Sequence, residues 1–168
     1  MTVNFYIHSK SGNSLNVAGR LQKKVLEQGF CVKFSRIIPS DENQRDVDKL
    51  LISPINSSQT ADLIIIGGPV RWFSASTPLL KAIDVMDSLE GKKVIIFLTQ
   101  FLPYDGMGGR QAIEQLKAVL QKKGATVVEK ESIHWKRGDR EDQIEKLEKK
   151  IQGILREIKK IQNKNRQG

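Results

Sequence analysis

Apolar residues fall along the chain in two alternating rhythms. Val3 to His8 is a short β-type run, after which Leu15, Ala18, Leu21, Val25 and Leu26 recur at helical spacing until Gln28 and Gly29 close the segment. Phe30 to Ile37 alternates with period two and predicts a second strand. The stretch from Pro39 to Thr60 is polar, with a short helical patch at Val47 to Ile52 that Pro54 stops. Leu63 to Ile66 is continuously apolar, the pattern of a strand covered on both faces, and Gly67, Gly68 and Pro69 are expected to end it. Thr77 and Pro78 supply a cap and a first-turn proline for a helix through Leu79, Leu80, Ile83 and Met86. Val94 to Leu98 predicts a fourth strand, a long loop leads to Gly109, and a helix carrying Ile113, Leu116, Val119 and Leu120 closes at Gly124. Ala125 to Ile133 predicts a fifth strand, and a final helix starts near Asp139.

Five strand and helix pairs, without repeats or low-complexity linkers, predict one α/β domain over residues 1–168. Right-handed crossovers make the sheet parallel and place helices on both faces. Such sheets bind ligands at the carboxyl ends of their strands, beside the switch in strand order. The loops after the first, third and fourth strands are therefore the ones that carry chemistry.

Charge narrows the class. The chain has 28 Lys and Arg against 19 Asp and Glu, a formal net charge of +9. From Lys136 onward 11 basic residues face 6 acidic ones, so +5 of that charge belongs to the terminal helix. No aromatic follows Trp135 in this tail, so a solvated helix face is a better reading than a nucleic-acid surface. No apolar run approaches the length of a membrane span, and the first residues lack the basic start, apolar stretch and cleavage site of a secretory signal. One cysteine, Cys31, excludes an internal disulfide, and a reduced cytoplasmic setting is the default. Cys31 itself is expected to be a small core residue.

The loop after the first strand reads Ser9, Lys10, Ser11, Gly12, Asn13, Ser14. Backbone amides at a helix N-terminus and up to three hydroxyls can converge there on one phosphate, while Gly12 permits close approach. The spacing matches neither the Walker A loop nor the dinucleotide fingerprint. His8, just before it, is expected to hydrogen-bond the loop or to be structural. His134 has no second ligand at metal spacing, and no Gly-x-Ser-x-Gly elbow occurs.

In these residues the chain resembles the flavodoxin-like family, whose phosphate loop has the pattern Thr/Ser-x-Thr/Ser-Gly-Asn-Thr/Ser and binds the 5'-phosphate of FMN. Ser9, Ser11, Gly12, Asn13 and Ser14 match every position of it. Gly67 to Phe73 and Thr99 to Phe101 lie in register with the family's two flavin-flanking loops. The resemblance implies a three-layer sandwich, a five-stranded sheet in the order 2-1-3-4-5, the short-chain form of the fold and FMN as cofactor.

It also implies roles for the flanking loops. Pro69, Val70, Arg71, Trp72 and Phe73 would border the flavin, with Trp72 stacking on the ring and Arg71 pairing with a flavin oxygen. Thr99 and Gln100 would hydrogen-bond its polar edge, Phe101 or Tyr104 would cover it, and Gly108 would lead into the next helix. As an electron carrier the protein would dock on redox partner proteins. As an enzyme it would take hydride from NAD(P)H and reduce a quinone or similar small acceptor, and Gly68, Pro69, Val70 and Arg71 are similar to the tryptophan-repressor-binding-protein type of quinone oxidoreductase. Typical electron-carrying flavodoxins are strongly acidic, and this chain departs from them. A receiver domain is excluded, because His8, Ser9, Gly67 and Gly68 stand where its acidic cluster would be. In the last helix Ile144, Leu147, Ile151, Ile154, Ile158 and Ile161 form a stripe longer than the sheet's edge needs, so its end is expected either to project and pair with another subunit or to fray, with self-association preferred.

Overall fold

The computed structural model describes residues 1–102 and 108–167. In chain order the elements are β1 (Thr2–His8), α1 (Asn13–Glu27), β2 (Cys31–Ile37), β3 (Leu63–Arg71), β4 (Ser74–Ala75), α2 (Thr77–Val85), β5 (Lys93–Gln100), α3 (Gly109–Lys122), β6 (Thr126–His134) and α4 (Arg140–Gln167). The five long strands are parallel in the order β2-β1-β3-β5-β6, and β4 folds back antiparallel on the end of β3. With β4 set aside, this is the expected 2-1-3-4-5 sheet. No helix among the described residues is long and apolar enough to cross a membrane.

Period-two alternation sorts the sheet's side chains between two cores. Phe5, Ile7, Leu63, Ile65, Ile95 and Phe97 pack under α1 and α4. Tyr6, Ile64, Ile66, Val94, Ile96 and Leu98 pack under α2 and α3. In β3 the Phe97 ring lies across Gly67, where a Cβ would come within 2.1 Å of it, so glycine is required there for packing.

Four expectations are corrected. No helix forms at Val47 to Ile52: Asn43 N donates to Asp41 Oδ1, Asp46 N to Gln44 Oε1 and Asp48 N to Asp46 Oδ1, and such local bonds compete with helical ones. An isolated Pro39–Ile52 bridge closes the excursion instead, so the β2–β3 crossover has no helix and the described residues hold four helices rather than the expected five. Gly67, Gly68 and Pro69 do not end β3, which runs on to Arg71 and turns through Trp72 and Phe73 into β4. Cys31 is exposed, because β2 is an edge strand whose alternate side chains face solvent. Finally, α4 stays docked well beyond its expected reach. Leu155 and Ile158 are buried, Lys159 Nζ donates to Gln28 O, and Gln162 Nε2 donates to Asp62 Oδ1 at 2.6 Å, leaving Ile161 exposed.

Candidate functional site

The strands end at one edge, and the three loops singled out from sequence meet there. Gly12 is the N-cap of α1 at φ 91°, in the left-handed region, and no side chain caps the helix. That conformation turns the chain into α1 with its first amides pointing outward. Ser9 Oγ accepts from Gly12 N at 3.1 Å and from Leu15 N at 3.4 Å, which fixes the loop from inside. The amides of Asn13 and Ser14 have no hydrogen-bond partner among the described residues. Ser11 and Lys10 are exposed, and nothing lies within 4 Å of where a Gly12 Cβ would point. Free amides, the Ser9 and Ser11 hydroxyls and a lysine, on a helix N-terminus, are the donor set for a dianion. Ser14 is the exception in the predicted loop: its hydroxyl is buried and bonded to Thr99 Oγ1 at 2.8 Å. That bond ties the loop to the end of β5 and occupies Thr99, which is itself buried.

Beside it lies an open cleft of about 180 Å³ lined by Val70, Trp72, Gln100, Phe101 and Leu102. Trp72 and Phe101 are 78% and 59% exposed, and Lys136 Nζ lies 4.0 Å over the Phe101 ring. Trp72 sits at φ 56°, a costly conformation for a bulky residue. The two-residue hairpin between Arg71 and Ser74 demands a positive φ, which glycine would give freely. Among the described residues Trp72 is the one non-glycine residue with a positive φ. Gly108, the left-handed N-cap of α3 at φ 95°, presses on this turn, and a Cβ there would lie 2.1 Å from Trp72 O. Gln100 is buried, with Nε2 3.4 Å from Leu102 O. Pro69 pairs with Thr99 across the sheet, and Phe73 is exposed outside the cleft lining. Tyr104, expected to cover the ring, lies outside the described residues.

Arg71 goes elsewhere than the cleft. Its Nη1 donates to Glu42 O at 2.6 Å and its Nη2 to Glu42 Oε2 at 3.0 Å. Glu42 also faces His8 Nε2, 3.2 Å from each carboxylate oxygen, while His8 Nδ1 lies 2.7 Å from Ser76 Oγ. A carboxylate only accepts, so Nε2 carries the proton and Nδ1 accepts the Ser76 hydroxyl. The connectivity is that of a nucleophilic triad, yet Ser76 is fully buried at the N-cap of α2, where no substrate reaches it. The network therefore fastens the β2–β3 crossover and the α2 cap to the strand ends. Sequence reading missed Glu42 and Ser76, since neither stands at a motif spacing from His8.

Burial pushes the His8 pKa below its ordinary 6.5, and the opposing pull of Glu42 does not restore it. Unfolded His8 protonates near pH 6.5 while the folded ring resists, so stability is full above that value and falls as pH drops toward the folded pKa. Denaturant midpoints measured from pH 7.5 down to 5 should thus fall more steeply in the wild type than in His8→Asn. Parallel curves would mean that His8 is not held neutral.

No protein-family model matches the chain, and no curated protein does. Solved structures match over nearly its whole length. Oxidised flavodoxin 1 from Bacillus cereus is 23% identical, with 95% of this chain and 98% of that one covered at a TM-score of 0.65. The chain has the flavodoxin fold. A short-chain flavodoxin associated with a bacterial microcompartment matches at TM-score 0.66 and 18% identity, over 94% of this chain and 99% of that one. Two-electron reduced flavodoxin from Megasphaera elsdenii matches at TM-score 0.63 and 18% identity, over 90% and 98%. Against the usual pairing of strands and helices in a doubly wound sheet, this flavodoxin fold lacks one helix in the β2–β3 crossover, the segment that carries Glu42 to Arg71.

Proposed function

We propose that the protein binds FMN and carries electrons between redox proteins. The observation that carries this is the adjacency, through the Ser14–Thr99 bond, of a free-amide cradle for a dianion and an open cleft flanked by exposed aromatics. The residues suit the group: Ser9, Ser11, Gly12 and Asn13 would hold the phosphate, and Trp72 and Phe101 would flank the isoalloxazine. Bound there, FMN supplies reversible electron storage. Among the described residues the cleft, of about 180 Å³, is open to solvent, so a ring seated there would present an edge to it. Exposure of that kind suits transfer to a docked protein better than chemistry in a closed site. The Arg71–Glu42 pair acts here as a brace for the turn that carries Trp72.

A visible spectrum of the purified protein tests the cofactor, and an NAD(P)H oxidation assay tests the role. A yellow protein inert to both nicotinamides is expected; rapid oxidation of either would make it a reductase. FMN should also quench an indole emission that is absent from Trp72→Phe, whose remaining emitter is Trp135. Quenching unchanged in that variant would place the ring away from Trp72.

A further inference from the structure

Charge is divided unevenly between the two ends of the sheet. At the edge where the strands end, residues 9–14, 36–53, 70–77, 99–111 and 134–142 hold nine Lys and Arg against eight Asp and Glu. At the edge where they begin, residues 23–33, 59–62, 84–93, 122–126 and 156–167 hold twelve against six. Most of that excess sits in one corner, where the last turns of α1 and α4 come together: residues 23–30 and 156–167 have seven cations and two carboxylates. Lys159 joins the two segments, its Nζ donating to Gln28 O and lying 5.5 Å from the centre of the Phe30 ring.

From this corner we propose that the protein binds the surface of an anionic phospholipid bilayer, a property separate from electron transfer. Lys24 pairs with Glu27, but Lys23, Arg156, Lys160, Lys164 and Arg166 are exposed and have no carboxylate partner among the described residues. The carboxylates left beside them are Glu157, which is exposed without an ion pair among the described residues, and Asp62, which accepts from Thr2 N and Gln162 Nε2. Complementing a helix C-terminus takes about one cation, so the two helix ends leave most of these charges over. Beyond Gln162, residues 163–167 continue α4 with every residue exposed, and this stub of about 7 Å carries Lys164 and Arg166 past the Asp62 contact.

Apolar side chains decide the kind of partner. Leu26 at 52% and Ile161 at 49% are exposed within the same two segments. A bilayer takes such side chains into its interface while clustered lysines and arginines hold the anionic headgroups, and about four to eight cations suffice. A nucleic acid would leave both side chains in water and would ask for aromatic platforms, of which the described residues of this corner expose none. Bound in this way, the molecule keeps its cleft on the far side, a strand's length from the lipid.

The test is sedimentation of the whole chain with sucrose-loaded vesicles of phosphatidylcholine, alone or with about one third phosphatidylserine. At about 0.1 M salt, partitioning onto the phosphatidylserine vesicles should be at least about tenfold stronger, and about 0.5 M salt should remove most of that difference. Each cation near such a surface is worth roughly fivefold, so replacing Lys160, Lys164 and Arg166 together by Gln should weaken partitioning at least about tenfold. The same charge change at Arg45, Arg110 and Lys136, at the opposite edge, should alter it less than about twofold, a comparison that separates this corner from net charge. Ile161→Asn keeps every charge and should weaken partitioning about threefold or more through lost apolar burial. Matching circular dichroism melts will show that these exposed-site variants fold as the wild type does. Equal partitioning onto both vesicle types, equal losses from the two triple variants, no effect of Ile161→Asn, or tighter retention on a short DNA duplex than on the anionic vesicles would each overturn the proposal.

Discussion

Gly108→Ala is expected to destabilise the protein and to weaken FMN binding together. The new Cβ would stand 2.1 Å from Trp72 O and 2.9 Å from Phe73 Cα, and both obstacles are backbone that cannot rotate aside. The residue would also keep φ 95°, a conformation that L side chains rarely adopt. Strain and overpacking together cost about 2 to 4 kcal/mol, and relieving them moves the turn that carries Trp72. Gly91→Ala separates the two causes. Gly91 has φ 72° but open space around its Cβ position, so that variant bears backbone strain alone. Denaturant unfolding should rank Gly108→Ala clearly below Gly91→Ala, with FMN affinity reduced only in the former. Equal losses would show that the α3 cap does not press on the turn.

The second large effect belongs to Gly12. At φ 91°, with nothing within 4 Å of its Cβ position, a substitution meets no clash in the free chain, and only the backbone conformation is at stake. Valine resists the left-handed region strongly, so the loop would turn its amides away from the point where they converge. Strain of about 1 to 3 kcal/mol predicts that Gly12→Val weakens FMN roughly tenfold to a hundredfold. Riboflavin lacks the phosphate and should bind almost as before. Fluorescence titration of both ligands gives the ratio, and an equal loss for the two would remove the phosphate from this loop.

How much of this was legible in the sequence depended on the range of the interaction. The continuous apolar run Leu63 to Ile66 and the alternation of Phe30 to Ile37 are local signals, and both became strands as read. Ser9 to Ser14 is likewise a local motif, and its glycine has the left-handed φ that its position demands. The partners of those residues were not legible. Ser14 finds Thr99 across 85 residues, and His8 finds Ser76 across 68. Nothing in Arg71 reveals that Glu42 will claim it, because that carboxylate arrives on a crossover whose path is set by local aspartate turns. The helical patch at Val47 to Ile52 failed for the same reason: of its apolar positions only Leu50 is fully buried, too little to hold a helix against competing turns.

Cys31 opens β2 at the edge where the strands begin, pairing with Thr2, whereas the cleft opens where they end. It is the chain's one thiol and it is exposed. Seven residues of extended strand put it about 20 Å from the cofactor loops. A maleimide dye or a gold surface would therefore attach at a single chemically defined point and hold every molecule the same way up, with the aromatic edge turned to the solution. Wild-type protein could thus be wired to an electrode or read by energy transfer without engineering a handle.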